Sequence, residues 1–219
     1  MPRFLPILLL TASVASAQIA TPEPLAGTLE AGVYTSPTGA FKMEIPVLPE
    51  LGGAVTDTDK VVTFHDDFGL QITVGVFAQD ASLRWEYSTR GPRDYMIYFF
   101  TNFVLTDFKH FCPATRVETA GFSPDFLGGA LFTYLLLPGG SMFAEHAEFG
   151  KADDAPVAKR GNLVFVKNGY TFVISSELSE RVTQGSRFGK SPAEENQILR
   201  SRLIGVTKKI QFLKQAPAN

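Results

Sequence analysis

The sequence contains few of the residues from which catalytic and metal centres are usually built. Its 219 residues include one cysteine, three histidines and one tryptophan. A single cysteine excludes an internal disulfide bond and a zinc site made of several thiolates. The chain also lacks a G-x-S-x-G nucleophile elbow, a phosphate-binding loop and a dinucleotide fingerprint. We therefore expect binding rather than catalysis, and no cofactor.

The sequence also lacks an excess of charge of either sign. It has 20 Lys and Arg against 22 Asp and Glu, a formal net charge of −2. This balance leaves no basic footprint for nucleic acid and no polybasic patch for lipid. The apolar run Phe4–Leu10 is too short to span a bilayer. We therefore expect neither a nucleic-acid partner nor a transmembrane segment in the mature chain.

The N-terminus carries the features of an export signal. Arg3 is followed by the apolar run, and Ala15-Ser16-Ala17 forms a small-residue cleavage site. This pattern predicts a signal peptide over residues 1–17, a mature chain that begins at Gln18, and a periplasmic or secreted protein. The alternative is an anchor helix that stays uncleaved.

The rest of the chain predicts one α+β domain over residues 33–214, after a flexible leader over 18–32 and before a disordered tail over 215–219. Nineteen Phe and six Tyr indicate an aromatic-rich core. Helical periodicity predicts one helix over 92–109 and another from 192 onward. Alternating or continuous apolar patterns predict strands over 41–45, 61–65, 70–77, 115–119, 130–137, 141–149, 163–167 and 170–175. A polar loop is predicted over 150–161.

Three local signals are more specific. Asn168-Gly169 between two β-rich runs predicts a type I′ hairpin turn. Ser191, Pro192 and Glu194 predict a helix start with a capping box. Ala130–Leu137 is apolar on both faces, which predicts a strand covered on both sides.

Several short motifs in this order resemble the PsbP-like family. The matching residues are Tyr34, Ser36, Pro37, Gly39, Phe41, Pro46, Phe64, Asp66 or Asp67, Asn168-Gly169, Tyr170 and Ile210-Gln211-Phe212. The resemblance implies an α+β sandwich, in which two main helices pack against a central antiparallel sheet. It implies little about function, because members of the family serve non-catalytic binding roles with unrelated partners. Many members carry a Trp shortly after the first proline, where this chain has Leu48-Pro49.

A metal site is one chemical possibility. His65, Asp66, Asp67 and His146 offer imidazole and carboxylate ligands suited to zinc or manganese if their segments meet. Such a centre would make the protein a metal-dependent hydrolase. The alternative is that the two aspartates shape a turn and that His146 decorates an edge strand.

An anion site is the other possibility. Cations, hydroxyls and aromatic side chains precede both predicted helices, where free N–H groups attract anions. If the two segments adjoined, a small anionic ligand with an apolar body would be bound by Arg84, Trp85, Tyr87, Arg90, Arg93, Arg187 and Lys190. The alternative is two solvated basic loops.

The sequence thus favours an exported, non-enzymatic binding or accessory protein of the cell envelope. Its partner would be another envelope protein or a small anionic ligand. A structural accessory subunit is a further alternative, which predicts a large apolar surface patch. Cys112 is either a buried small apolar residue or a reactive thiol beside Lys109 and His110.

Overall fold

The computed structural model describes residues 24–146 and 156–214. The predicted signal peptide, the start of the leader and the C-terminal tail lie outside the described residues. Within this part of the chain, antiparallel strands form two sheets. The strands are β1 Thr28–Glu30, β2 Val33–Thr35, β3 Phe41–Glu44, β4 Ala54–Asp57, β5 Val61–His65, β6 Gln71–Ala78, β7 Arg116–Ser123, β8 Ala130–Pro138, β9 Val157–Lys167, β10 Tyr170–Glu177 and β11 Ile210–Phe212.

The larger sheet has seven strands in the order β4-β5-β6-β10-β9-β8-β7, and the smaller has the order β1-β2-β3-β11. The two predicted hairpins, β5–β6 and β9–β10, are both present. Asn168 and Gly169 have φ values of 50° and 80°, as a type I′ turn requires. Strand β8 is buried at eight of its nine positions, as its apolar sequence predicts.

Within the described residues, four α-helices accompany the sheets: α1 Ala81–Phe99, α2 Leu105–Phe111, α3 Ser179–Thr183 and α4 Pro192–Lys209. A π-helical segment, Phe100–Val104, joins α1 to α2. Gly91 interrupts α1 with φ 75° and ψ 168°, because the residue before Pro92 avoids the α region. None of these helices is long and apolar enough to cross a membrane within the described residues.

Helix α4 covers one face of the large sheet. Ser191 and Glu194 form the predicted capping box at its start. A β-carbon placed on Gly161 would lie 3.0 Å from Leu199 Cβ, so the missing side chain lets helix and strand approach closely. The small sheet packs against the same face of the large sheet, since Phe212 of β11 contacts Phe172 of β10 edge-on at 5.0 Å.

The other face is covered by α1, the π-helical segment and α2. Tyr95 shares a buried 2.7 Å hydrogen bond with Thr171 of β10, and Phe99 lies 5.4 Å from Phe77 of β6. The two faces therefore carry separate helical layers. The predicted α+β fold, a central antiparallel sheet with helices packed against it, is confirmed.

Several predicted boundaries differ from the structure. The leader stretch Thr28–Glu30 is strand β1, because Asp57 of the unpredicted strand β4 accepts the N–H groups of Ala26 and Gly27 at 2.8 Å. Helix α1 begins at Ala81, well before the predicted start at residue 92.

Residues 141–146 are turns and a short 3₁₀ helix where a strand was predicted. Glu177 accounts for this difference, because it accepts hydrogen bonds from Ser141 Oγ (2.5 Å) and Met142 N (3.2 Å) and folds the chain back. The remainder of that predicted strand, residues 147–149, lies outside the described residues. Residues 157–161, predicted as loop, belong to β9 and pair with β8.

Candidate functional site

The two segments predicted to form a shared anion site lie at opposite ends of the large sheet. Residues 84–93 belong to α1, which follows β6, whereas Arg187 and Lys190 lie beyond α3, which follows β10. Strands β6 and β10 are antiparallel neighbours, so they end at opposite edges of the sheet. Arg181 Nε accordingly donates to the Val157 carbonyl at the far end (3.0 Å). The expected convergence of these residues is therefore corrected: they do not form one pocket.

Three of the predicted cations have local partners. Arg84 donates to a backbone carbonyl just before α1 at 2.7 Å. Arg90 pairs with Glu86 at 2.5 Å, and Lys190 pairs with Glu194 at 3.4 Å. Each contact joins two groups that are only four or five residues apart in the chain. These cations therefore stabilise their own helix end or helix surface.

The aromatic members of the predicted site also separate. Trp85 is 62% exposed, whereas Tyr87 packs edge-on against Tyr95 at 5.2 Å. Arg93 differs from the other cations of α1, because it lies at the rim of a cavity.

The predicted metal ligands do not assemble. Asp66 Oδ1 accepts three N–H groups, those of residues 68–70, at 2.9 Å each, and so shapes a turn. Asp67 lies against Gly52, and His146 ends a short 3₁₀ helix. Across residues 24–146 and 156–214, no three His, Cys, Asp or Glu side chains are grouped to hold a metal ion.

Cys112 follows the first of its two interpretations. The side chain is buried, with 8% exposed. Its Sγ donates to the Pro138 carbonyl at 3.3 Å. The cysteine therefore packs between α2 and the end of β8.

A row of small polar side chains crosses the sheet beneath α1 and α2. The register pairs each member with the next on the adjacent strand. In order from β5 to β8, the row consists of Thr63, Thr73, Ser175, Asn162 and Thr133. Five strands thus place hydroxyl and amide groups in one row on this face of the sheet.

The hydrogen bonds of this row leave one end unsatisfied. Thr63 and Thr73 share a hydrogen bond of 3.1 Å, and Ser175 Oγ donates to Asn162 Oδ1. Asn162 Nδ2 and Thr133 Oγ1 have no partner among the described residues, although both residues are 0% exposed. Buried polar atoms are nearly always paired, so two unpaired ones side by side mark a candidate binding position.

Thr133 lines a cavity of about 580 Å³ between the helical layer and strands β7 and β8. We call this space the Arg93 cavity, since Arg93 is the charged residue among the described residues that line it. Its apolar walls are Ile97, Phe100, Leu105, Val117, Phe122 and Leu131. The arrangement combines the exposed Arg93, apolar walls and the buried Thr133.

A second cavity lies on the other side of the same helical segment. It measures about 770 Å³ and is lined by Asp59, Lys60 and Asp107 as well as Thr73 and Ser175. The two carboxylates outnumber the one ammonium group, so these side chains give the second cavity no net positive charge. The polar floor residues of this second cavity already hydrogen-bond within the row.

A third cavity, of about 420 Å³, lies on the α4 face. Its wall contains Glu180 and Arg202, which form an ion pair. Burial raises the pKa of Glu180, but the hydrogen bond and charge of Arg202, together with hydrogen bonds from the backbone and Ser179, outweigh burial and lower the pKa overall. Of the two cations that line this cavity, Arg202 and Lys209, Arg202 is therefore already paired with a carboxylate.

The sequence analysis did not predict the polar row, although the sequence contains one signal for it. The Asn168-Gly169 turn fixes the register of β9 and β10, and counting back from the turn pairs Asn162 with Ser175. The predicted start of β9 at residue 163 excluded Asn162 from the strand. Thr133 lies in a strand predicted correctly, but its unpaired hydroxyl depends on three-dimensional packing.

Comparison with known proteins gives only distant similarities. No family model matches the chain, and no curated protein matches it. Among solved structures, it is similar to the Saccharomyces cerevisiae Ran-binding protein Mog1p, with 12% identity over 87% of this chain and 97% of that chain, and a TM-score of 0.43. It is also similar to the cyanobacterial PsbP (CyanoP) of Synechocystis, with 11% identity over 88% of this chain and 100% of that chain, and a TM-score of 0.42.

Proposed function

We propose that this chain is an exported, non-enzymatic binding protein whose ligand is a small organic anion with an apolar body. The ligand lies in the Arg93 cavity, with its anionic group at the rim and its apolar body against β7 and β8. The single observation that carries this proposal is the pairing of Arg93 with apolar walls and a buried, unpartnered hydroxyl in one cavity.

The volume of the cavity suits this class of ligand. Small-molecule sites usually measure roughly 300–1,000 Å³, with mostly apolar walls and a few polar groups that fix orientation. The Arg93 cavity, at about 580 Å³, falls within that range. An arginine at the rim forms charge-assisted hydrogen bonds with a carboxylate without losing its own hydration fully.

Titration calorimetry with decanoate tests the proposal. We expect binding to the mature protein, an affinity that falls with added salt, and about tenfold weaker binding to Arg93→Gln, about 1.4 kcal/mol. Arg90→Gln is the matched control, since Arg90 lies on the same helix but pairs with Glu86. Equal affinities of Arg93→Gln and the unaltered protein would overturn this site.

Export forms part of the same proposal and rests on the N-terminal sequence. The signal-peptide pattern of residues 1–17 supports cleavage after Ala17. Mass spectrometry of the protein recovered from outside the cytoplasm should show a chain that starts at Gln18. Retention of Met1 or Arg3 in that fraction would contradict processing at this site.

A protein partner in the envelope is the second candidate, and an exposed apolar patch supports it. Leu48 and Phe68 are 59% and 75% exposed. Their segments are joined by a hydrogen bond from the Asp67 N–H to the Leu51 carbonyl at 3.2 Å. A photo-cross-linker at position 68 should give one defined adduct in cells, whereas one at position 111, equally exposed but distant, should not.

A further inference from the structure

We infer that the third cavity is a second binding site, for a small carboxylate that carries a hydroxyl group at the far end of a short apolar body. Lys209 binds the carboxylate, and the hydroxyl of Ser176 binds the far end. This cavity lies on the α4 face of the large sheet, whereas the Arg93 cavity lies on the opposite face, under α1 and α2. The second site is therefore independent of the proposed function.

Ser176 is a buried serine whose hydroxyl is free. It is 4% exposed and lines the third cavity. It pairs with Ile72 of β6, which lines the same cavity, so the two side chains share the α4 face. Its Oγ has no hydrogen-bond partner within residues 24–146 and 156–214, and unlike Thr133 Oγ1 it is not sealed from solvent. The hydroxyl therefore opens into the cavity and is available to a ligand.

Lys209 gives the third cavity a cation without a counter-ion. It is exposed and lies in the last turn of α4. The other charged side chains that line the cavity, Arg202 and Glu180, form an ion pair, whereas Lys209 has no ion-pair partner in the described part of the chain. These three side chains leave one positive charge in excess. An anionic group of a ligand therefore belongs beside Lys209.

The free hydroxyl and the free cation lie at different levels along α4. Ser176 pairs with Gly161 across β10 and β9, and a β-carbon on Gly161 would lie 3.1 Å from Leu203 Cδ1. Lys209 comes six residues after Leu203, or about 9 Å along the helix. A ligand that reaches both groups is therefore elongated, with a polar group at each end.

The walls of the third cavity define the body of the ligand. They are formed by the apolar side chains of Met43, Pro46, Phe68, Leu70, Ile72 and Val206. The volume, about 420 Å³, lies within the range of roughly 300–1,000 Å³ that is usual for small-molecule sites. An aromatic ring or a short alkyl chain therefore suits the space between the two polar ends.

The far end of the ligand is neutral. Arg202, adjacent to Leu203, holds the carboxylate of Glu180 at the Ser176 end of the cavity. A second anionic group there would be repelled by that carboxylate. A hydroxyl group suits this end, because it both donates to and accepts from the Ser176 hydroxyl.

Calorimetric titrations with 3-(4-hydroxyphenyl)propanoate and 3-phenylpropanoate test the inference, since these probes differ only in the far hydroxyl. We expect the hydroxylated probe to bind about fivefold more tightly. Lys209→Gln should weaken the binding of both probes about tenfold. Lys208→Gln is the matched control, because Lys208 lies in the same turn of α4 but does not line the cavity, and it should leave both affinities unchanged.

Serine variants test the position of the far hydroxyl. Ser176→Ala should abolish the preference for the hydroxylated probe and retain the binding of 3-phenylpropanoate. We expect this variant to fold, because the hydroxyl that it loses has no partner among the described residues. Ser175→Ala is the matched control and should keep the preference, since Ser175 is also 4% exposed but lines the second cavity on the other face.

Arg93→Gln separates this site from the proposed function. It should weaken the binding of decanoate and leave the binding of both phenylpropanoate probes unchanged. Weaker probe binding in Arg93→Gln but not in Lys209→Gln would place the probes in the Arg93 cavity and overturn the second site. Equal effects of Lys208→Gln and Lys209→Gln, a preference that survives Ser176→Ala, or no binding of either probe would overturn it as well.

Discussion

Thr133 and Thr171 lie on the same face of the large sheet but differ in their hydrogen bonding. Thr171 shares a 2.7 Å hydrogen bond with Tyr95, whereas Thr133 Oγ1 has no partner in the part of the chain that the structure describes. A buried polar atom without a partner lowers stability, and such atoms are rare in folded proteins. The two threonines therefore differ in what their hydroxyls contribute to folding.

Valine substitutions at these two positions should have opposite effects on stability. Thr133→Val removes an unsatisfied hydroxyl, so we expect the free energy of unfolding to rise by about 1 kcal/mol. Thr171→Val leaves the Tyr95 hydroxyl buried without its partner, so we expect the free energy of unfolding to fall by about 1–3 kcal/mol. Urea denaturation measures both. A loss of stability in Thr133→Val would show that its hydroxyl has a structural partner.

Asp57 connects the smaller sheet and the leader to β4. It accepts hydrogen bonds from Tyr34 Oη at 2.7 Å and from two leader N–H groups. Burial raises the pKa of Asp57, but these hydrogen bonds outweigh burial, so the pKa is lowered below the ordinary value. Burial, together with the hydrogen bond to Asp57 and the charge of that carboxylate, raises the pKa of Tyr34.

The lowered pKa of Asp57 predicts a pH dependence of stability. Its contribution is fully present above the ordinary aspartate value, about 3.9, and is lost as the pH falls through the lower folded-state pKa. The stability difference between the unaltered protein and Asp57→Asn should therefore be largest above about pH 4 and shrink at more acidic pH. A difference that grows on acidification would contradict this sign.

At the scale of elements, the break in α1 at Gly91 positions the rim of the cavity. Its positive φ ends the first helical part, and Pro92 begins the second with Arg93 next in sequence. The π-helical segment that follows contributes Phe100 and Thr101 to the Arg93 cavity and Phe103 and Val104 to the second one. Such segments often lie at functional sites.

Two glycine substitutions distinguish the need for a positive φ at Gly91 from the general preference of helices for alanine over glycine. A side chain at either Gly91 or Gly205 would meet no atom within 4 Å. Gly91→Ala should lower the free energy of unfolding by about 1 kcal/mol, because φ is positive there. Gly205→Ala, inside α4, should raise it by about 0.5–1 kcal/mol. Thermal denaturation of both proteins measures this, and a neutral Gly91→Ala would contradict the strained break.

At the scale of the whole molecule, local signals predicted the fold, while long-range packing determined the site. The Asn168-Gly169 hairpin and the Ser191 capping box were predictable because their geometry depends on adjacent residues. Strand β1 was not, since it depends on the distant Asp57. The start of α1 has a local cap, because Asp80 accepts the N–H of Leu83 at 2.8 Å, and sequence reasoning missed this signal. The PsbP-like resemblance supplied an expectation about architecture but no ligand.

The shared anion site predicted from the sequence shows the same difference between local signals and long-range packing. The residue types were a reasonable basis for expecting anion binding, but the sequence does not reveal that β6 and β10 are antiparallel neighbours. That topology separates Arg90 from Arg187. Of the predicted set, Arg93 remains the residue on which the proposed site depends.

The most direct measurement is the position of a bound anion in solution. Intermolecular nuclear Overhauser effects should connect the methylene protons of decanoate to the methyl groups of Ile97 and Leu131, which line the Arg93 cavity. They should disappear in Arg93→Gln at the same ligand concentration. Contacts to Val61 and Val173 instead would place the ligand in the second cavity and contradict the proposed site.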